Sequence, residues 1–167
     1  GGGIIDNKEI LHGVDGGAGE VGHMTINPEG PVCGCGNHGC LESFASGTAI
    51  AREGRKVLKE GRSPVIKDMS DNNPDNIDAL LVARAAKKGD EVAQKIYRNA
   101  GYYLGIGLAN LINLFNPELI VMGGGVMKDE DLFKQPMWDS IKERALSSTL
   151  DQVKITGVKL GDDTGVK

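Results

Sequence analysis

The densest chemistry in the chain is a run of three cysteines with histidines around it and a glutamate on either side. Cys33, Cys35 and Cys40 fall inside eight residues; His23 lies upstream, His38 between the last two cysteines, and His12 further back. Three soft thiolates and one imidazole complete a tetrahedral shell, and zinc is the metal that such a set selects in a reducing compartment. Four protein ligands leave no position for an activated water, so the expected role is a structural staple. Gly34, Gly36 and Gly39 let the backbone turn tightly around an ion. Residue types and spacing leave the fourth ligand open among the histidines. The bland alternative is three unrelated thiols; an odd cysteine count also argues against a closed disulfide framework, which makes a metal site in a cytosolic protein the expectation. Glu20 and Glu42 flank the cluster closely.

Glycine provides the second signal. The chain has 25 glycines in 167 residues, gathered at Gly1–Gly3, Gly13–Gly22, Gly34–Gly39 and Gly123–Gly125 instead of spread as a linker. Clusters of this kind indicate tight turns and close backbone approach to ligands. Leu119-Ile-Val-Met122 runs directly into Gly123-Gly-Gly125, a way of bringing backbone N–H groups to a ligand at the carboxyl edge of a sheet. A turn that merely needs positive φ explains the same residues.

These groups need a scaffold, and the chain has the composition for one. Hydrophobic content of 40% with 25% charged residues is that of a soluble globular domain with a sizeable core. A net charge of −4 gives no basic footprint for nucleic acid or an anionic membrane. Small molecules and other subunits are the expected partners.

The opening residues read as a hairpin turning at Asp6-Asn7-Lys8, followed by a strand over His23–Ile26 and an extended loop enforced by Pro28 and Pro31. A helix from about Leu41 should break near Gly47. Residues 61–76 are polar and read as an exposed irregular connection. A short helix over 77–88 ends at Gly89, and Asp90 caps a long one carrying Val92, Ile96, Tyr97, Ala100, Leu104, Leu108, Leu111 and Ile112 on one face. Nineteen residues from Asn99 to Pro117 lack charge, near the length of a membrane span. Asn110, Asn113 and Asn116 within them favour a buried soluble helix. Gly101 and Gly105 inside that helix call for close packing against another backbone or a nucleotide, of which a close helix crossing is the expectation. Pro136 heads a further helix with Met137, Ile141, Ala145 and Leu146 inward, and residues 153–158 alternate as a strand. The sum is a mixed α/β pattern in a single domain.

Gly17-Ala-Gly-Glu20-Val-Gly-His23, Cys33-Gly-Cys35-Gly-Asn-His-Gly-Cys40-Leu-Glu42 and Leu119-Ile-Val-Met-Gly-Gly-Gly125 together resemble the repressor, open reading frame, kinase (ROK) family, and within it the bacterial glucokinases. The resemblance implies an actin-like, ribonuclease H-type ATPase fold: a mixed sheet flanked by helices, with a zinc-stapled loop and sugar bound between two lobes. It implies structural Zn²⁺ on His23, Cys33, Cys35 and Cys40, with His38 at a variable position of the motif. Glu20, His23 and Glu42 match the sugar-binding positions. A hexose is a ring of hydroxyls that carboxylates read well, and a metal on one imidazole nitrogen leaves the other as a fixed donor.

On the nucleotide side, Gly1, Gly2 and Gly3 resemble the tail of a phosphate loop, and Gly123, Gly124 and Gly125 an adenosine-contacting loop, for ATP with Mg²⁺. The family's catalytic aspartate belongs to a segment upstream of Gly1, so no catalytic base is expected in this chain. Leu160-Gly-Asp-Asp-Thr164-Gly165 resembles the family's closing segment, with Thr164 replacing alanine. Residues 1–167 are thus expected to form one domain, the larger C-terminal lobe of a two-lobe sugar kinase, with the N-terminal lobe and a C-terminal helix outside this sequence. The implied activity of the whole protein is phosphoryl transfer from ATP to the 6-hydroxyl of glucose, with this lobe alone inactive. The alternatives are a kinase for N-acetylmannosamine, fructose or allose, or the ligand-sensing lobe of a sugar-responsive repressor. A cytoplasmic homo-oligomer, dimer or tetramer, without nucleic acid on this lobe and without a membrane, completes the expectation.

Overall fold

The computed structural model describes residues 1–158, so the Leu160–Gly165 segment lies outside the described residues. The opening hairpin pairs β1 (Ile5–Asp6) with β2 (Glu9–Ile10), Ile5 facing Ile10. Asn7 and Lys8 turn it with φ of 49° and 68°, the left-handed pair that a two-residue hairpin loop demands.

Helices follow: α1 (Glu42–Ala45), α2 (Gly47–Lys59), α3 (Pro64–Met69), α4 (Ala79–Lys87) and α5 (Glu91–Phe115). β3 (Leu119–Met122) leads through a 3-10 segment (Gly125–Leu132) to α6 (Lys134–Arg144), α7 (Ser147–Leu150) and β4 (Lys154–Gly157). β3 and β4 pair in parallel from Leu119 opposite Lys154 to Met122 opposite Gly157, with α6 in the crossover.

The helix starts follow from their caps. Ser46, Ser63, Asp78 and Asp90 each accept a backbone N–H three residues on, at the heads of α2, α3, α4 and α5. Ser63 also donates to Asp90 at 2.7 Å, so the caps of α3 and α5 are tied to each other. The core sits around α5, where Tyr97, Leu108 and Ile112 meet Ile50, Ile66, Val82, Phe133 and Ile141.

The two helical glycines do what their spacing requires. A Cβ on Gly105 would stand 2.5 Å from the Met137 carbonyl oxygen, and one on Gly101 would collide with that of Phe133, so α6 crosses α5 with backbones nearly touching. Asn116, at φ 43°, closes α5 by donating to the Ile112 carbonyl. Among the described residues no helix is long and apolar enough to cross a membrane.

Three expectations fail. Residues 61–76 are not an irregular connection: they contain α3, which Ser63 caps, Pro64 starts, and a wholly buried Ile66 pins to the core. His23–Ile26 is not a strand, because Val21–His23 winds as a 3-10 turn and only Thr25 forms a bridge, to Cys40. Leu146 is exposed, since α6 ends at Arg144 and the chain leaves the helical face before reaching it.

Candidate functional site: a thiol–imidazole centre beside two glutamates

The cysteine loop is built by its glycines and by backbone bonds. Cys33 N–H donates to Asn37 O at 2.7 Å and Gly36 N–H to Cys33 O at 2.9 Å, a tight turn that Gly36 permits with φ 90°. Gly39, at φ 67°, passes so close to Asn27 that a Cβ would overlap its carbonyl. The Thr25–Cys40 and Val32–His38 bridges close the loop, and Leu41 N–H donates to Met24 O at 2.9 Å.

This brings one ligand atom from each of His23, Cys33, Cys35 and Cys40 within 4.8 Å of one another. The set fits zinc. Metal–sulfur bonds of about 2.3 Å at tetrahedral angles put ligand atoms about 3.8 Å apart. The observed separations are 3.7 Å for Cys35 Sγ to Cys40 Sγ and 3.6 Å for Cys33 Sγ to His23 Nδ1. Cys33 and Cys40 are buried and Cys35 is exposed. The thiols are held unevenly by their protein surroundings. The backbone N–H of Cys35 and the side chain of Ser43 bring Cys33 down to about 6, whereas burial and its thiol neighbours push Cys40 up to about 12. His12 and His38 stand outside this group; the His38 carbonyl instead accepts the Thr25 hydroxyl at 3.3 Å.

The ring of His23 faces two ways. Its Nδ1 points at the thiols and its Nε2 lies 3.9 Å from Glu20 Oε2. Glu42 comes to the same edge on α1, with its side chain against Gly22: a Cβ on that glycine would stand 3.6 Å from Glu42 Oε2. α1 is fixed on three sides. Leu41 fills the notch left by Gly107 on α5, Phe44 stacks on Tyr103 with centroids 3.9 Å apart, and Arg52 donates to the Ser43 carbonyl at 2.8 Å.

Beside this edge opens a cleft of about 440 Å³ between the hairpin and β3. Gly1, Gly2, Gly3, Glu42, Ser46 and Gly123 line it, while Gly124, Gly125, Glu20 and His23 do not. Gly124, at φ 101°, makes the turn from β3 into the 3-10 segment. That segment is tied to α4, where Lys87 Nζ donates to the nearly buried Asp129 at 2.6 Å. Ser46, Ser43 and Arg52 escaped sequence reasoning. Ser46 had a weak signal as a helix cap after Glu42; Arg52 had none, because its reach to Ser43 depends on how the chain turns between α1 and α2.

The ROK family matches residues 1–167. The glucokinase of Halalkalibacterium halodurans is 42% identical over 168 residues, covering 99% of this chain and 50% of that protein. The xylose repressor of Caldicellulosiruptor bescii is 39% identical over 161 residues, covering 95% of this chain and 39% of the repressor. Among solved structures, a ROK family glucokinase from Streptomyces griseus in complex with glucose and AMPPNP superposes with a TM-score of 0.83 at 31% identity, covering 98% of this chain and 53% of that one. The chain thus spans about half the length, or less, of the relatives it matches.

Proposed function

Since the chain belongs to the ROK family and has its actin-like ATPase fold, we propose that it is the larger lobe of a sugar kinase that phosphorylates the 6-hydroxyl of glucose from ATP. The observation that carries this reading is that Glu20 lies against His23 while Glu42 lies against Gly22, the residue before that histidine, with Gly22 and Glu42 lining the cleft.

Each group has a distinct task. The two carboxylates accept hydrogen bonds from sugar hydroxyls, and charge-assisted bonds of this type are roughly twice as strong as neutral ones. His23 holds its Nε2 proton toward a sugar oxygen while Nδ1 serves the metal. His23, Cys33, Cys35 and Cys40 would hold zinc in a closed shell, where it would supply rigidity to the loop. Gly1–Gly3 and Gly123–Gly125 are assigned to the phosphate and adenosine sides of ATP, which enters with Mg²⁺. Phosphoryl transfer also needs a base on the attacking hydroxyl. None is assigned within residues 1–167, so this chain alone does not turn over.

A second reading has its own support in the xylose repressor: the same sugar edge would sense a ligand and change the DNA affinity of another part of the protein. One assay separates them. The full-length protein is expected to form ADP only when glucose and ATP are both present. Absence of glucose-dependent ADP, with DNA binding that responds to sugar, would establish the repressor reading instead.

A further inference from the structure

α1 is a single turn, and Ser46 leaves the helical region with ψ 161° immediately after it. Such a short element cannot satisfy its own terminal carbonyls or set its own rotation. The Ser43 carbonyl is taken up from outside, by Arg52 of α2, whose Nη2 donates to it at 2.8 Å. The guanidinium is itself held in place, with Nε and Nη2 at 3.3 Å and 3.1 Å from Glu53 Oε1. A planar donor with two fixed N–H groups reaching a carbonyl and a carboxylate together is a rigid strut, which a lysine reproduces only in part. Ser43 is the next residue after Glu42 in the same turn, so what fixes the Ser43–Phe44 peptide also constrains the backbone from which the Glu42 side chain reaches the cleft.

We propose that Arg52 is a positioning residue for Glu42: through the Ser43 carbonyl it sets the rotation of α1 that aims the Glu42 carboxylate at the sugar. The inference rests on the reading of Glu42 as a sugar ligand. A displacement of about 1 Å in a substrate-holding group is enough to weaken its use strongly, and Arg52 does this without touching the cleft, which its side chain does not line.

The test uses the full-length protein with D-glucose and ATP varied separately. Arg52→Met is expected to raise the glucose KM roughly fivefold, as loss of a charge-assisted hydrogen bond acting at one remove would do. The ATP KM, zinc content and melting temperature stay near wild type, and Arg52→Lys recovers part of the loss. Should the methionine variant not fold, Glu53→Met decides, since it removes the acceptor that holds the guanidinium without removing the guanidinium and is expected to shift the glucose KM in the same direction. An unchanged glucose KM, or equal rises in both KM values, overturns the proposal. Glu42→Gln separates the causes. If it raises the glucose KM while Arg52→Met does not, the sugar reading stands and the role of Arg52 falls; if it has no effect, the sugar reading falls and takes this role with it.

Discussion

His23 Nε2 lies 3.9 Å from Glu20 Oε2 on the side of the imidazole turned away from the thiols. One ring therefore separates the cysteine loop from Glu20, with Nδ1 3.6 Å from Cys33 Sγ. A metal that fixes one nitrogen fixes the tautomer and direction of the other. The staple and the sugar edge are on this view one unit, joined through a single side chain.

Of the four proposed ligands Cys40 is the one whose loss should be felt most, being wholly buried beside His23 and Cys35. Cys40→Ser is expected to bring zinc content from about one per chain toward zero and to lower the melting temperature by more than about 5 °C. Elemental analysis and a thermal melt check both. Full zinc occupancy in the variant would remove Cys40 from the ligand set.

Glu20→Gln and Glu42→Gln keep the shape of each side chain and remove its charge. Each is expected to raise the glucose KM by about tenfold or more, the usual worth of a charged hydrogen bond, and to leave the ATP KM near wild type. Steady-state kinetics on the full-length protein read both values.

Gly105→Ala sets two effects against each other. Alanine gains about 1 kcal/mol in helix propensity. The new Cβ would stand 2.5 Å from the Met137 carbonyl and as close to Ser140 Cβ. Backbone cannot move aside cheaply, and overpacking of this kind costs about 1–3 kcal/mol. The net expectation is destabilisation by up to about 2 kcal/mol in a denaturant titration.

Stability should fall at high pH, in part through Tyr97. Burial, and then the nearby Asp129 carboxylate, raise its phenol above the ordinary value. The folded state therefore keeps a proton that the unfolded state gives up near pH 10. The contribution is complete below that pH and is lost as pH rises toward the folded value. Lys87, raised by its hydrogen bond to Asp129, acts with the same sign. Tyr97→Phe is expected to cost about 1 kcal/mol at neutral pH, through the bond to Ala79 O, and to flatten the loss of stability above pH 10 without abolishing it. Melting temperatures from pH 8 to 11 give the slope.

Much of this was legible in the sequence because the signals were local. The hairpin turn at Asn7-Lys8, the Asp90 cap, the glycine pair in α5 and the strand before Gly123 each state a backbone requirement within a few residues. The ROK family and its fold followed from motifs that are equally local. Residue types left three histidines competing for one metal position; only the path of the chain groups His23 with Cys33, Cys35 and Cys40. α3 stayed hidden because it is one short helix of six residues, in which only Val65, Ile66 and Met69 face the core, set among polar and turn-forming neighbours. Arg52 was invisible for a different reason: its hydrogen bond to Ser43 depends on how the chain bends at the extended Ser46 between α1 and α2, which no spacing encodes.

The coupling of metal to sugar is tested most directly by titrating glucose calorimetrically into the full-length protein before and after zinc is removed by a chelator, with circular dichroism to follow the fold. Glucose affinity is expected to fall by about tenfold or more on zinc removal and to return when zinc is restored. A metal-free protein that stays folded and binds glucose with unchanged affinity would contradict it.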